Sequence, residues 1–478
     1  MGTTQLVKKA IKAVKEEGIQ GCAKKTKSYL ENQKRLRRKI EKKYKDILFI
    51  SGCGEDLPHP WRYRVKHQRE QLEAYNYSTD EVYFTQLDID QIRYYRAFVF
   101  FRCPMTETIG TFVDLAKQLN KIIIYDIDDL VIDTQYTDQI KYVMAMPEED
   151  KKAYDNNVMN MQKLLRKCDF AITSTDCLAE ELRKYIPKVY INRNVASEKM
   201  IQLSKEAIVK IKKDNTKVKI GYFSGSITHN ADFEMIKPVL IEVLKKYENV
   251  ELYLAGELDL PVELNPWKER IKKYPFGDWK KLPEILAEMD INLAPLEDTI
   301  FNKAKSENKW TEAALVKVVT IASDIGAFHD CIKNGETGVL CKDNDEWKVE
   351  LERLITDSLY RKKLGEQAYQ YCITHSSTVR SGSYLTRIMG NELNDNYIFV
   401  LPGLEISGGI KVALKHATML KKAGKDVGLF LLSGEQKWCE FEGYKIPVIN
   451  LEDTEIRGKI RYMIATMWTT VDIVEQCI

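Results

Sequence analysis

The chain has 478 residues, room for about two to four domains. Apolar residues make up 44% and charged residues 30%, the balance of a soluble globular protein, and no run nears the ~18 apolar residues of a membrane-spanning helix. Ten cysteines lie scattered, with no Cys-x-x-Cys pair and no Cys/His cluster at zinc spacing, which argues against a disulfide scaffold or zinc module and for a reducing, cytoplasmic setting.

Charge is unevenly spread. Residues 1–45 hold 15 Lys/Arg against 4 Asp/Glu, so the remainder of a chain of net charge +3 carries −8. Leu6, Val7, Ala10, Ile11 and Val14 recur at helical spacing with lysines between them, which predicts a basic amphipathic N-terminal helix. Two readings stand for this arm. It is a peripheral helix on an anionic membrane surface, at the inner face, or a solvated helix packed on its own domain. Nucleic acid is not expected as a partner, because the arm has one aromatic before Tyr44 and little for bases to stack on.

From residue 46 to about 202 strands alternate with helices: Asp46–Ile50, Ala97–Phe101, Lys121–Tyr125, Phe170–Thr173 and Val189–Asn192, with helices at Thr108–Leu119 and Cys177–Tyr185. That alternation predicts a parallel sheet covered on both faces. The polar stretch Lys205–Asn215 reads as a linker. A second α/β set occupies 216–390, with strands at Val218–Ser224, Glu251–Gly256, Ile291–Pro295 and Val318–Ala322, then a helical tail over roughly 345–390. A third set opens at Tyr397–Leu401 and fills 395–478, about 80 residues, too few to finish such a domain. A truncated chain, or one piece of a longer tandem protein, is the expectation.

The most informative stretch is Asn302–Glu312. Ser306 reads as an N-cap for a helix running to Val316. Lys305, Lys309 and Glu312, spaced by four and three, fall on one side of its start. Two lysines beside a helix N-terminus suit a diphosphate, and a carboxylate one turn on suits a ribose diol. The helix follows a strand, which places it at the carboxyl edge of the sheet, where such folds bind ligands. A second anion-friendly loop, Gly225, Ser226, His229 and Asn230, follows the first strand of the same set. The bland readings are a surface helix of mixed charge and a plain strand–helix turn capped by Asn230. In the first set, Asp126-x-Asp128 imitates a metal-binding Asp-x-Asp, but the surroundings favour a metal-independent role. Asp128 or Asp129 orients or deprotonates an acceptor hydroxyl, or both are a solvated acidic turn. Arg62, Arg64 and Arg102 flank strand ends and bind acceptor or phosphate, or pair with these aspartates.

On these segments, residues of about 217–375 resemble the C-terminal, donor-binding domain of GT-B glycosyltransferases, in particular family 4 and related group 1 enzymes. The matching stretches are Gly221–Ser226, Thr228–Phe233, Val250–Gly256, Lys305–Glu312, Val318–Ser323 and Ile332–Leu340. The resemblance implies two facing Rossmann-like domains, and a nucleotide-diphosphate sugar as substrate with no metal or other cofactor. Glu312 matches the second glutamate of the family's Glu-x7-Glu motif, which grips the ribose, and Lys305 and Lys309 look like donor-phosphate ligands. Ala304 stands where the first glutamate contacts the transferred sugar, so the sugar and the stereochemical outcome stay open. Leu401–Gly424 resembles the start of another, rhamnosyltransferase-like unit of surface-polysaccharide type.

The expectation is therefore an α/β protein of GT-B type with a partial third unit and a basic helical arm. Its activity is transfer of a hexose or rhamnose to a growing cell-surface polysaccharide or lipid-linked glycan. Asp128, Asp129 and Lys309 are the catalytic candidates. The alternative, prompted by Ala304, is a degenerate, non-catalytic sugar-nucleotide or glycan-binding module. A dehydrogenase lacks its glycine fingerprint here.

Overall fold

The structure, a computed structural model, describes residues 45–54, 58–214, 216–224, 230–256, 258, 260–275, 277–393, 396–405, 407–449 and 460–477. The basic arm expected over 1–45 lies outside them but for Lys45, as do Gly225, Ser226 and His229.

The first lobe is a six-stranded, wholly parallel sheet in the order β2-β1-β3-β4-β5-β6. Its strands are β1 (Lys45–Ser51), β2 (Thr79–Tyr83), β3 (Tyr95–Phe101), β4 (Ile122–Ile127), β5 (Phe170–Thr173) and β6 (Val189–Ile191). Strands such as Phe98-Val99-Phe100-Phe101 are continuous apolar runs, fully buried because helices cover both faces of a parallel sheet. The helices begin with α1 (Pro58–Trp61), which passes through a π-helical turn at Arg62–Lys66 into α2 (His67–Glu73). Further along come α3 (Glu107–Gln118) and α4 (Glu148–Lys167).

The lobes join through α5 (Glu198–Lys210). The stretch expected as a linker from Lys205 is therefore helical as far as Lys210. Its polar residues form one exposed face, while Ile201, Ser204 and Ala207 bury the other.

The second lobe repeats the plan with β7 (Val218–Phe223), β8 (Val250–Ala255), β9 (Ile271–Tyr274), β10 (Ile291–Ala294), β11 (Val319–Ser323) and β12 (Val339–Cys341). All pair in parallel, in the order β12-β11-β10-β7-β8-β9. This order reverses between β7 and β10, and the first lobe's between β1 and β3. Crevices for ligands open at the carboxyl ends of strands beside such reversals. The helices that matter here are α6 (Asn230–Lys246), α7 (Ile300–Lys303), α8 (Asn308–Ala314) and α9 (Ser358–His375).

The helical tail divides between the lobes. Helix α9 packs on the second lobe through Leu364, Ala368 and Cys372. The next helix, α10 (Thr378–Glu392), returns to the first lobe. There Leu385, Ile388 and Met389 pack with Ile47, Phe49 and Val99. A glycine is needed where α10 crosses α2, because a Cβ on Gly382 would lie 2.6 Å from the Gln71 carbonyl oxygen. The two crossings between lobes run side by side: Ala196 N donates to Ser376 O (2.8 Å) and Thr378 N to Ala196 O (2.9 Å). Glu70 Oε1 accepts from both, from Glu198 N at 2.8 Å and Thr378 Oγ1 at 2.9 Å.

Residues 396–477 add a three-stranded parallel sheet, β14-β13-β17, from β13 (Asn396–Leu401), β14 (Asp426–Leu431) and β17 (Ile460–Ala465). A hairpin of β15 (Trp438–Phe441) and β16 (Tyr444–Pro447) and the helix α11 (Gly408–Lys422) cover one side of it.

Candidate functional site

A cavity of about 1020 Å³ lies between the first two lobes, at the carboxyl ends of β3 and β4 on one side and β7 and β10 on the other. It takes in the second lobe's topological reversal, between β7 and β10, and the β3 side of the first lobe's.

On the second lobe's wall stand Lys305, Ser306, Lys309 and Glu312, all lining the cavity. Local sequence explains their presentation. Thr299 Oγ1 accepts from Asn302 N and starts α7. Helix α8 turns Trp310, Ala313 and Ala314 into the lobe. Trp310 Nε1 donates to Thr337 O, in the turn before β12, at 2.8 Å, and Asn292 Nδ2 of β10 donates to Lys309 O at 3.1 Å, so the helix is tied to the lobe at two points. Ser306 is not the N-cap that its position suggests. Helix α8 starts at Asn308 after Glu307, and no side chain caps it. Ser306 Oγ instead accepts from Asn194 Nδ2 of the first lobe, at 3.2 Å. A seven-residue uncapped helix is a weak anion site, and the positive character of this wall comes from its lysines.

Lys309 Nζ is buried, 4.7 Å above the Tyr222 ring, and has no hydrogen-bond partner among the described residues. Burial pushes its amine down to about 8, against the pull of Asp232. Lys305 is mostly buried as well. Its amine is lowered by burial, opposed by Asp232, whose Oδ2 lies 3.9 Å away, and by Asp129 across the cleft. Asp232 is fixed in turn by the Glu297 N–H at 3.0 Å and Asn302 Nδ2 at 2.8 Å. Of the expected phosphate loop, only Asn230 belongs to the described residues, as the first residue of α6.

On the first lobe's wall Arg102 ends β3 with φ +42°. Its carbonyl packs against Gly52, where a Cβ would lie 2.1 Å away. Arg102 Nε donates to Asp128 Oδ1 at 2.7 Å, and Nη2 lies 3.5 Å from Asp129 Oδ2. Burial raises the Asp129 carboxyl above its ordinary range; Arg102 and Lys305 pull the other way. Arg102, Asp128 and Asp129 all line the cavity.

Arg64 is not brought to the cavity. It is wholly buried, with Nε and Nη2 donating to the two Asp126 oxygens at 2.8 Å each and Nη1 to Asn192 O at 2.6 Å. Asp126 also takes Gln68 Nε2 at 2.6 Å. The two carboxylates of Asp126-x-Asp128 therefore serve different partners, because Asp126 lies within β4 while Asp128 lies past its end, where the chain has left the strand. Arg62 sits across the cavity's other end. Its Nη2 donates to Glu312 Oε1 at 3.2 Å and its guanidinium lies 4.4 Å from the Trp279 ring. Tyr63 OH donates to the same Glu312 oxygen at 2.7 Å.

Four residues at the site are not singled out by the sequence: His59 and Tyr63 of the first lobe, and Asp232 and Trp279 of the second. The only local hint is the Pro58-His59-Pro60-Trp61 run before the π-turn, a feature frequent at functional sites.

Residues 218–357 match the family described as glycosyl transferases group 1. Among solved structures, HepE from Anabaena, crystallised with UDP and glucose, superposes with a TM-score of 0.50 at 12% identity, over 73% of this chain and all of that one. Sucrose-phosphate synthase from Thermosynechococcus elongatus gives 0.49 at 12% identity, over 72% and 98% of the two chains. No curated protein sequence matches the chain. The two lobes, with their facing switch points, have the GT-B fold. The second lobe is the part that resembles the group 1 glycosyltransferases.

Proposed function

We propose that the chain transfers a sugar from a nucleoside-diphosphate donor to a glycan or lipid-linked acceptor bound in the cleft. One observation carries this reading. Two lysines stand on the second lobe's wall, Lys305 just before α8 and Lys309 one helical turn from Glu312, and the Lys309 amine is buried without a hydrogen-bond partner among the described residues. Leaving an ammonium buried and unpaired is costly, and a diphosphate is the ligand that answers it. Lys305 and Lys309 hold the diphosphate and stabilise it as it leaves, without a metal ion. Glu312 takes the ribose. The start of α6 at Asn230 completes the phosphate side.

Opposite, Asp129 accepts the proton of the acceptor hydroxyl, with Asp128 and Arg102 holding its geometry. Its raised carboxyl brings its basicity nearer to neutrality, which suits a general base. Arg102 is also the acceptor-side cation. Arg64 has no part in binding, and Arg62 stands at the nucleoside end. HepE's bound UDP makes a uridine diphosphate sugar the first donor to test. The sugar is a hexose or rhamnose, the product a surface glycan, and the N-terminal arm holds the enzyme on the membrane's inner face. On the same reading, residues 396–477 open a second transferase unit.

The test is a panel of nucleotide sugars in a thermal-shift assay on wild type, Glu312→Ala and Lys309→Ala. A shift in wild type that both variants lose is expected. A shift that neither variant changes overturns the site.

A second reading has its own observation. Ala304 is wholly buried among first-lobe residues, and its carbonyl accepts Thr175 Oγ1 at 2.9 Å. No carboxylate reaches the sugar from this position, as a binding module without turnover would have it. Release of free nucleoside diphosphate on incubation with donor and acceptor excludes that reading.

A further inference from the structure

Glu312 is already engaged. Both donors that reach it come from the other lobe, and both use one oxygen, Oε1: Tyr63 OH at 2.7 Å and Arg62 Nη2 at 3.2 Å. A carboxylate oxygen has two in-plane lone pairs, so Oε1 is saturated. A vicinal diol gripped by a carboxylate donates one hydroxyl to each oxygen and needs Oε1 free. We propose that Arg62 and Tyr63 form an autoinhibitory clasp, seated on Glu312 where a nucleotide's ribose diol binds. The proposal rests on the reading of Glu312 as the ribose carboxylate.

Three further features fit a clasp that must be displaced. The Arg62 guanidinium also covers the face of Trp279, 4.4 Å from its centroid, on the cavity wall that continues from Tyr274 to Lys281. Arg62 Nε is buried with no hydrogen-bond partner among the described residues, so the clasped arrangement carries an unsatisfied donor that a displaced Arg62 returns to water. Tyr63 is packed edge-on against His67 (centroids 4.9 Å apart), and Arg64 next to it is locked to Asp126. The Tyr63 half of the clasp is therefore held in place by its neighbours. Release moves the π-turn with the first lobe, which links nucleotide binding to separation of the lobes at this end of the cleft. In such an equilibrium the apparent affinity for nucleotide is the intrinsic affinity scaled by the unclasped fraction.

The experiment measures UDP, GDP, dTDP and ADP binding to the full chain by calorimetry, for wild type, Tyr63→Phe, Arg62→Met and Glu312→Ala. Tyr63→Phe keeps the ring in its packing and removes one hydrogen bond to a charged group. Arg62→Met keeps an apolar stem on Trp279. Both are expected to bind the preferred diphosphate about tenfold more tightly than wild type. Equal or weaker binding by both variants overturns the clasp. If Glu312→Ala binds as wild type does, the ribose role of Glu312 fails instead. If Glu312→Ala weakens binding while the two clasp variants gain nothing, the clasp alone fails. No binding by wild type or by either clasp variant overturns the clasp together with the donor reading.

Discussion

Replacing Lys309 by methionine should make the protein more stable and less able to bind its nucleotide. The amine is buried, unpaired and lowered from 10.5 to about 8, a penalty of ~3 kcal/mol on its charged form at 1.36 kcal/mol per pH unit. Below pH 8 that penalty bears fully on the folded state, because lysine is charged in both folded and unfolded chains. Between pH 8 and 10.5 the unfolded chain binds more protons than the folded one, so wild-type stability from this group rises with pH. Methionine has nearly the same length, rests well on an aromatic ring such as Tyr222, and carries no charge. At pH 7 Lys309→Met should therefore gain up to ~3 kcal/mol, or about 6–12 °C in Tm for a lobe of this size. The gain should fade as pH approaches 10.5. The same variant loses a charge-assisted hydrogen bond to the diphosphate, and its nucleotide Kd should rise at least tenfold, or ~1.5–3 kcal/mol. Scanning calorimetry across pH, with and without nucleotide, reads both. A variant that melts lower than wild type at pH 7 and still binds nucleotide refutes the argument.

Asp129→Asn should lower kcat by about 10²–10⁴ while leaving nucleotide affinity intact, as steady-state rates and calorimetry would show. In wild type the rate should fall as pH drops through a carboxyl raised above its ordinary 3.8, and Asp129→Asn should lose that acid limb. Arg64→Ala strands the buried Asp126 carboxylate with Gln68 as its remaining side-chain donor and should cost ~3–5 kcal/mol in urea unfolding. Part of this loss should return at acid pH, where Asp126 is protonated in both states. Gly256→Ala should cost ~1–3 kcal/mol and weaken nucleotide binding, because φ is +99° and a Cβ would lie 1.8 Å from Ser224 O on the cavity wall.

Much of the architecture is legible locally. Runs such as Ile47–Ile50 and Phe98–Phe101 can only be buried strands, and their alternation with amphipathic helices predicts parallel sheets. The spacing of Lys305, Lys309 and Glu312 points to one side of a helix start, and the three do line one cavity, although Lys305 lies ahead of α8 rather than on it. Weaker strands such as Thr79–Tyr83 and Ile271–Tyr274 escape this reading because they are edge strands with charged or half-exposed positions. Ser306 looks like a cap, yet tertiary contact with Asn194 decides its hydroxyl. Arg64 looks like a ligand-binding arginine because sequence does not show that Asp126 lies beside it. The pairing of Tyr63 with Glu312 spans 249 positions, and no spacing rule reaches that far.

The return of α10 to the first lobe makes that lobe discontinuous in sequence. A fragment ending before Thr378 strips the cover from Ile47, Phe49 and Val99 and presents an adhesive apolar surface to solvent. A fragment beginning at Val218 keeps α10 but gives it nothing to lie on. Isolating either half therefore calls for co-expressing complementary pieces, or for a circular permutant that joins residues 378–393 to the start of β1.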